Sequence, residues 1–172
     1  MARWHTADPA QSRLRSDFVD FLDAHQDGLQ RECLAGHLTA SVLVADSTVE
    51  SVLLTLHPKV GRWLQLGGHI EPGDVDLRAA AAREALEESG IDGLTLSAEP
   101  LHLDRHRVRC RPDVVLDHWD VQYVALAPAG ARAVRSAEST ELAWFTWNQL
   151  PERTDDAVRA LVAAARSLRP GP

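Results

Sequence analysis

Apolar residues recur along this chain with two spacings, and the switches between them outline its elements. Over residues 9–33, Phe18, Phe21, Leu22 and Leu29 form a stripe at helical spacing. That pattern predicts a helix that packs on the domain or forms a homodimer contact. Residues 37–45 (HLTASVLVA) and 49–57 (VESVLLTLH) read as two β-strands around the turn Asp46-Ser47-Thr48. Residues 59–66 then lead into the pair Gly67-Gly68. A second helix is expected to start near Asp74 or Asp76, either of which can act as N-cap, and to end at Gly90. Its alanines suit close packing against a sheet, with Ala79, Ala82 and Leu86 on one face and Ala81 and Ala85 flanking it. Residues 94–109 and 119–127 read as further strands joined by a loop over 110–118, which contains Arg111-Pro112-Asp113. Alternation from His118 to Val124 suits a strand with one buried face. A strand bearing Trp144-Phe145, a Leu150-Pro151 turn and a last helix over 155–168 complete an α/β chain.

Composition narrows the function classes. A length of 172 residues suits one compact domain. With a formal net charge of −7 and Lys59 as the only lysine, the chain is poorly suited to grip long nucleic acid through its backbone. No apolar run approaches the roughly 18 residues of a membrane span, and Arg13, Arg15, Asp17 and Asp20 interrupt the start where a signal peptide would need an apolar core. A cytoplasmic location is expected. Cys33 and Cys110 form no metal-like cluster and read as reduced structural thiols.

The chemistry concentrates in Gly67-Gly68-His69-Ile70-Glu71-Pro72-Gly73-Asp74 and in Arg83-Glu84-Ala85-Leu86-Glu87-Glu88-Ser89-Gly90-Ile91. At 100° per residue, Glu84, Glu87 and Glu88 share one face of a helix, so three carboxylates converge there. Such anions repel one another unless protons or cations relieve them. Clustered hard oxygen ligands favour Mg²⁺ or Mn²⁺, and Mg²⁺ commonly reaches protein through a few carboxylates plus substrate phosphates.

These residues resemble the signature of the Nudix hydrolases (MutT-like): Gly, five residues, Glu, seven residues, then Arg-Glu-aliphatic-any-Glu-Glu-any-Gly-aliphatic. Gly68 opens the match, and Arg83-Glu84, Glu87-Glu88 and Gly90-Ile91 close it. Asp74 stands at the place of the first glutamate, eight residues instead of seven separate it from Arg83, and Ala85 replaces a bulky aliphatic residue. The resemblance covers residues 38–168. It implies a Nudix fold, an α/β/α sandwich with a mixed central sheet over residues 37–170, preceded by the helical segment 1–36.

The same resemblance implies Mg²⁺- or Mn²⁺-dependent cleavage of a diphosphate linkage in a nucleoside triphosphate or another nucleoside diphosphate derivative. The metal set would be Gly68 (through its carbonyl), Glu84, Glu87 and Glu88; the candidate bases are Glu84 and Glu87, and Arg83 would orient the glutamates by charge-assisted hydrogen bonds. Glu87→Gln and, separately, Glu88→Gln are expected to abolish most activity. Glu138 or Glu141 is a candidate further ligand or base, and Trp119 and Tyr123 are candidates for stacking on a base. Trp144 and Phe145 are expected in the core. His102, His106 and His118 stand apart in sequence, without the paired spacing of a histidine metal motif, and are assigned to the surface, the core or phosphate contacts. Two other readings are weighed. An isopentenyl-type diphosphate isomerase lacks support, since Gln65-Leu66-Gly67-Gly68-His69 holds no cysteine. A non-catalytic nucleotide sensor of the same fold would more often have lost box glutamates, and this chain keeps all three.

Overall fold

The computed structural model describes residues 4–111, 114–137 and 139–167. Pro112, Asp113, Glu138, Leu168 and the side chain of Cys110 therefore lie outside the described residues. The elements run α1 (Pro9–Ala24), β1 (His37–Ala45), β2 (Ser51–His57), β3 (Arg62–Leu64), β4 (Leu66–His69), α2 (Leu77–Ser89), β5 (Thr95–Leu96), β6 (His102–Arg111), β7 (Val114–Leu126), β8 (Glu141–Thr146) and α3 (Asp156–Ser167).

Among the described residues, eight strands join one mixed sheet with β3-β2-β1-β7-β5 as its path; β4 pairs with β1, β6 with β7 and β8 with β2. β1 and β7 run parallel, placing His37 beside His118 and Ala45 beside Leu126, while the other pairings are antiparallel. β1 forks its partners: Thr39–Val42 pair with β4, and Val44 and Ala45 pair with β2. Side chains alternate across a strand, so the two faces of β1 build two cores. Leu38, Ala40, Val42 and Val44 pack with Phe18 and Phe21 of α1 and with Ala80, Ala81 and Ala85 of α2. Leu43 and Ala45 pack with Val52, Leu54 and with Val158, Leu161 and Val162 of α3. Helices on both faces of a mixed sheet make the α/β/α sandwich. Trp144 leans on the first core and Phe145 on the second.

Several boundaries differ from the sequence reading. The first helix stops at Ala24 rather than near 33, because His25 turns to an extended conformation and Gly28 lies under the Phe21 ring, where a Cβ would come within 2.9 Å. The second strand begins at Ser51 because Asp46 holds the turn: its Oδ1 accepts from Glu50 N–H and the Thr48 hydroxyl, and Val49 takes φ +55°. The expected strand over 94–109 divides into β5 and β6. The expected loop over 110–118 is largely strand, so Leu116, Asp117 and His118 stand in the β6–β7 ladder. β7 is buried on both faces from Trp119 to Tyr123, not on one. Among the described residues, no helix is long and apolar enough to cross a membrane.

Candidate functional site

The box helix α2 starts at Asp76, whose carboxylate caps Ala79 N–H at 2.7 Å, and ends at Gly90 in the left-handed conformation (φ +63°). Its buried side is Ala80, Ala81, Ala85, Glu88 and Ser89, whereas Leu86 is 44% exposed. The packing face is thus not the expected Ala79/Ala82/Leu86 face. Two of the glutamates share the sheet-facing side with the small alanines, which let the helix approach closely enough for their carboxylates to touch the glycine turn.

That approach explains the double glycine. The Glu84 carboxylate lies where a side chain on Gly68 would begin, 2.6–2.8 Å from an ideal Cβ. Gly67 takes φ +154° and runs so near β1 that a Cβ would come within 2.4 Å of Ser41. Its N–H donates to Glu88 Oε2 at 3.0 Å.

Arg83 ties the acidic groups into one unit. Nε and one Nη donate to both Asp74 oxygens at 3.1 and 3.0 Å, a bidentate pair. The same Nη donates to the His69 carbonyl at 2.9 Å. The other Nη donates to Glu84 Oε1 at 3.0 Å and Glu87 Oε2 at 3.1 Å, and Glu71 stands 3.9 Å away. Asp74 is therefore no helix cap; its side chain, 6% exposed, anchors the arginine. Between Asp74 and Arg83 the chain passes through a short loop to the helix start at Leu77. The guanidinium holds the Asp74 carboxyl below the usual carboxylate range, and the Arg83 pKa is itself raised, chiefly by that hydrogen bond. The glutamates differ in access: the side chains of Glu84 and Glu87 are 12% and 57% exposed, and Glu88 is buried.

The other face of the sheet carries a polar patch that the sequence reading missed. Asp120 on β7, 3% exposed, accepts from Thr39 Oγ1 (2.9 Å), Ser41 Oγ (2.6 Å), Gln122 Nε2 (3.0 Å) and Gln65 Nε2 (3.2 Å). Gln122 Oε1 continues to His102 Nδ1 at 3.0 Å, and His102 Nε2 meets Gln11 of α1 at 2.9 Å. Beside this network His37, His69 and His118 come together, with ring centroids 4.7–5.5 Å apart. His118 is thus not isolated, since two strands distant in sequence bring it partners. Burial and the neighbouring rings push His69 down to about 4 and His118 to about 3, so both are neutral at pH 7. His106 runs the other way, raised by its 2.6 Å hydrogen bond to Asp104. The pattern did leave a trace, for His37-Thr39-Ser41 and His118-Asp120-Gln122 are polar at every second position of otherwise apolar strands.

The remaining candidates fall elsewhere. Trp119 is 5% exposed, stacked on Phe21 (4.6 Å), edge-on to Phe18 (5.0 Å) and covered by the Arg105 guanidinium at 4.2 Å. Tyr123 is 4% exposed in the same core. Both rings serve packing, and neither presents an open face to a base. Glu141 is exposed at the start of β8, opposite Leu56. Cys33 is a free buried thiol, its pKa raised by burial.

A family model described as the NUDIX domain matches residues 36–165. Among solved structures, a NUDIX-family hydrolase from Clostridium perfringens is 26% identical, aligned over 77% of this chain and 98% of its own, with a TM-score of 0.64. An Ap4A hydrolase from C. elegans in a binary complex is 18% identical over 76% and 95% of the two chains, TM-score 0.62. The NUDIX domain of Shewanella oneidensis NrtR, complexed with ADP ribose, is 21% identical over 87% and 96%, TM-score 0.59. No curated protein sequence matches this chain.

Proposed function

The chain belongs to the Nudix family of hydrolases, and from that premise we propose that it cleaves a diphosphate linkage in a nucleoside triphosphate or another nucleoside diphosphate derivative, using Mg²⁺ or Mn²⁺. The observation that carries this reading is the Arg83 cluster, which gathers Asp74, Glu84 and Glu87 beside a glycine turn bonded to Glu88. ADP ribose and Ap4A, the compounds named with two of the related structures, both join adenosine to a phosphate chain. That common element supports a nucleotide-type substrate.

The residues present suit a hard divalent cation. Glu84 is pressed into the space a Cβ on Gly68 would fill, and the donors are carboxylates plus a backbone carbonyl, the oxygen set such ions prefer. Glu84, Glu87, Glu88 and the Gly68 carbonyl would hold it. When bound, the ion neutralises phosphate charge and lowers the pKa of a water. Asp74 and Arg83 act as positioning residues. The bidentate pair fixes the guanidinium, and its other Nη holds Glu84 and Glu87 in register. In the reaction a water oxygen bonds to phosphorus, the bridging P–O bond breaks, and the water proton passes to a carboxylate of the cluster.

The test is release of phosphate, pyrophosphate or a nucleoside monophosphate from a panel of nucleoside triphosphates, dinucleoside polyphosphates and ADP-ribose with Mg²⁺ or Mn²⁺, with and without chelator. Metal-dependent turnover of one class is expected. Binding without turnover would instead make the chain a nucleotide sensor.

A further inference from the structure

We infer that His37, His69 and His118 form a second cation site, separate from the carboxylate cluster and selective for a borderline divalent transition metal of the Zn²⁺ type. Three central strands build it. His37 on β1 lies beside His118 on β7, and His69 ends β4 opposite Thr39, two residues along β1 from His37. One ring nitrogen from each residue falls in a group whose members all lie within 4.8 Å of one another. Zn–N bonds of about 2.0–2.1 Å in a tetrahedron put ligand atoms roughly 3.4 Å apart. The rings must therefore close by at most about 1.4 Å, and His69 and His118, which are only partly buried, can do so by side-chain rotation.

The independent sign of a ligand is His37. It is 1% exposed, its ring nitrogens make no hydrogen bond of ordinary geometry among the described residues, and the Cys33 backbone is close enough to act on the ring. An imidazole always carries at least one N–H, and burying such a polar group unpaired is costly. On the same face Asp120 accepts four hydrogen bonds, while Gln65 Oε1 beside it is, like the His37 ring, buried without a partner among the described residues. His37 is left aimed into a ring of imidazoles that can all offer lone pairs to the same point.

Ligand type separates the two sites. Imidazole nitrogen suits Zn²⁺, Cu²⁺, Ni²⁺ or Fe²⁺, whereas carboxylate and carbonyl oxygen suit Mg²⁺ and Mn²⁺. Three histidines also leave a fourth coordination position for water or another ligand. β4 divides the sites, with Gly68 against Glu84 and the next residue, His69, against His37.

The experiment uses the full chain, stripped of metal and held in saturating Mg²⁺ to fill the carboxylate site. Titration with Zn²⁺ by calorimetry should give one equivalent, and Co²⁺ should develop the visible absorption of a nitrogen-ligated, low-coordinate ion. His118→Asn and His69→Asn should each weaken Zn²⁺ binding at least roughly a hundredfold and abolish the Co²⁺ band, with circular dichroism confirming the fold. The Glu84→Gln/Glu88→Gln double variant should keep both signals. The inference is overturned if native protein takes up no Zn²⁺ under Mg²⁺, if its Co²⁺ spectrum is that of a six-coordinate aqua ion, or if uptake follows the glutamates rather than the histidines. These readouts are independent of turnover, so failure of the hydrolase reading would leave them interpretable.

Discussion

Gly68 and His69 are adjacent on β4, yet they look into opposite chemistries. On the α2 side, one guanidinium donates to Asp74, Glu84 and Glu87 at 3.0–3.1 Å with Glu71 3.9 Å away, and the cluster keeps a net negative charge. On the other side lie neutral rings and one buried carboxylate, Asp120, held by hydroxyls and amides. The first region is built largely by residues close in sequence, at helix spacing. The second is assembled from β1, β4 and β7, which meet only in the folded sheet. The local cluster tolerates anions because Arg83, on the same helix as Glu84 and Glu87, also reaches back to Asp74 in the preceding loop. The non-local one holds its single carboxylate, Asp120, with neutral hydroxyl and amide donors.

The largest expected effect belongs to the first region. Glu84→Gln or Glu88→Gln should lower kcat by roughly a hundredfold or more, the usual scale for removing one electrostatic element of a site, with little change in the urea midpoint. Steady-state kinetics at saturating Mg²⁺ beside a denaturation curve measures both. Native-rate turnover by both variants would remove the glutamates from the chemistry.

Asp120→Ala should reverse that pattern. It leaves the Thr39, Ser41, Gln65 and Gln122 donors without their acceptor, and should cost on the order of 3 kcal/mol of stability. Urea unfolding reads it directly; a change below about 0.5 kcal/mol would mean that the patch is solvated rather than a buried network.

Arg83→Lys comes next. Lysine keeps the charge but cannot form the bidentate pair with Asp74 while also reaching Glu84, Glu87 and the His69 carbonyl. A fall in kcat of about tenfold is expected, accompanied by a weaker apparent affinity for Mg²⁺, which a purely structural role would not produce.

The smallest effect is a pH dependence. Asp74 is held below its ordinary pKa by Arg83. Its contribution to stability is therefore complete above the unfolded value of about 3.9 and is lost as pH falls through the folded one. Between pH 5 and pH 3 the native urea midpoint should drop more steeply than that of Asp74→Asn. Parallel slopes would show that the ion pair adds nothing.

The sequence by itself determined whatever depends on near neighbours. Box spacing placed Glu84, Glu87 and Glu88 on one helical turn, Gly90 ended that helix, and the strand-like run of residues 37–45 before the Asp46-Ser47-Thr48 turn gave β1 its bounds. Strand-like and helical stretches in alternation also indicated the α/β class. Tertiary structure decided which side of α2 faces the sheet, that Asp74 grips Arg83 instead of capping the helix, and that residues 114–118 continue a strand. It also decided that His37, His69 and His118 share one place. Their separations in the chain carry no periodic signal, because strand partners are chosen by sheet register and by the burial of whole faces. Only pairing β1 in parallel with β7, and antiparallel with β4, brings those three rings together.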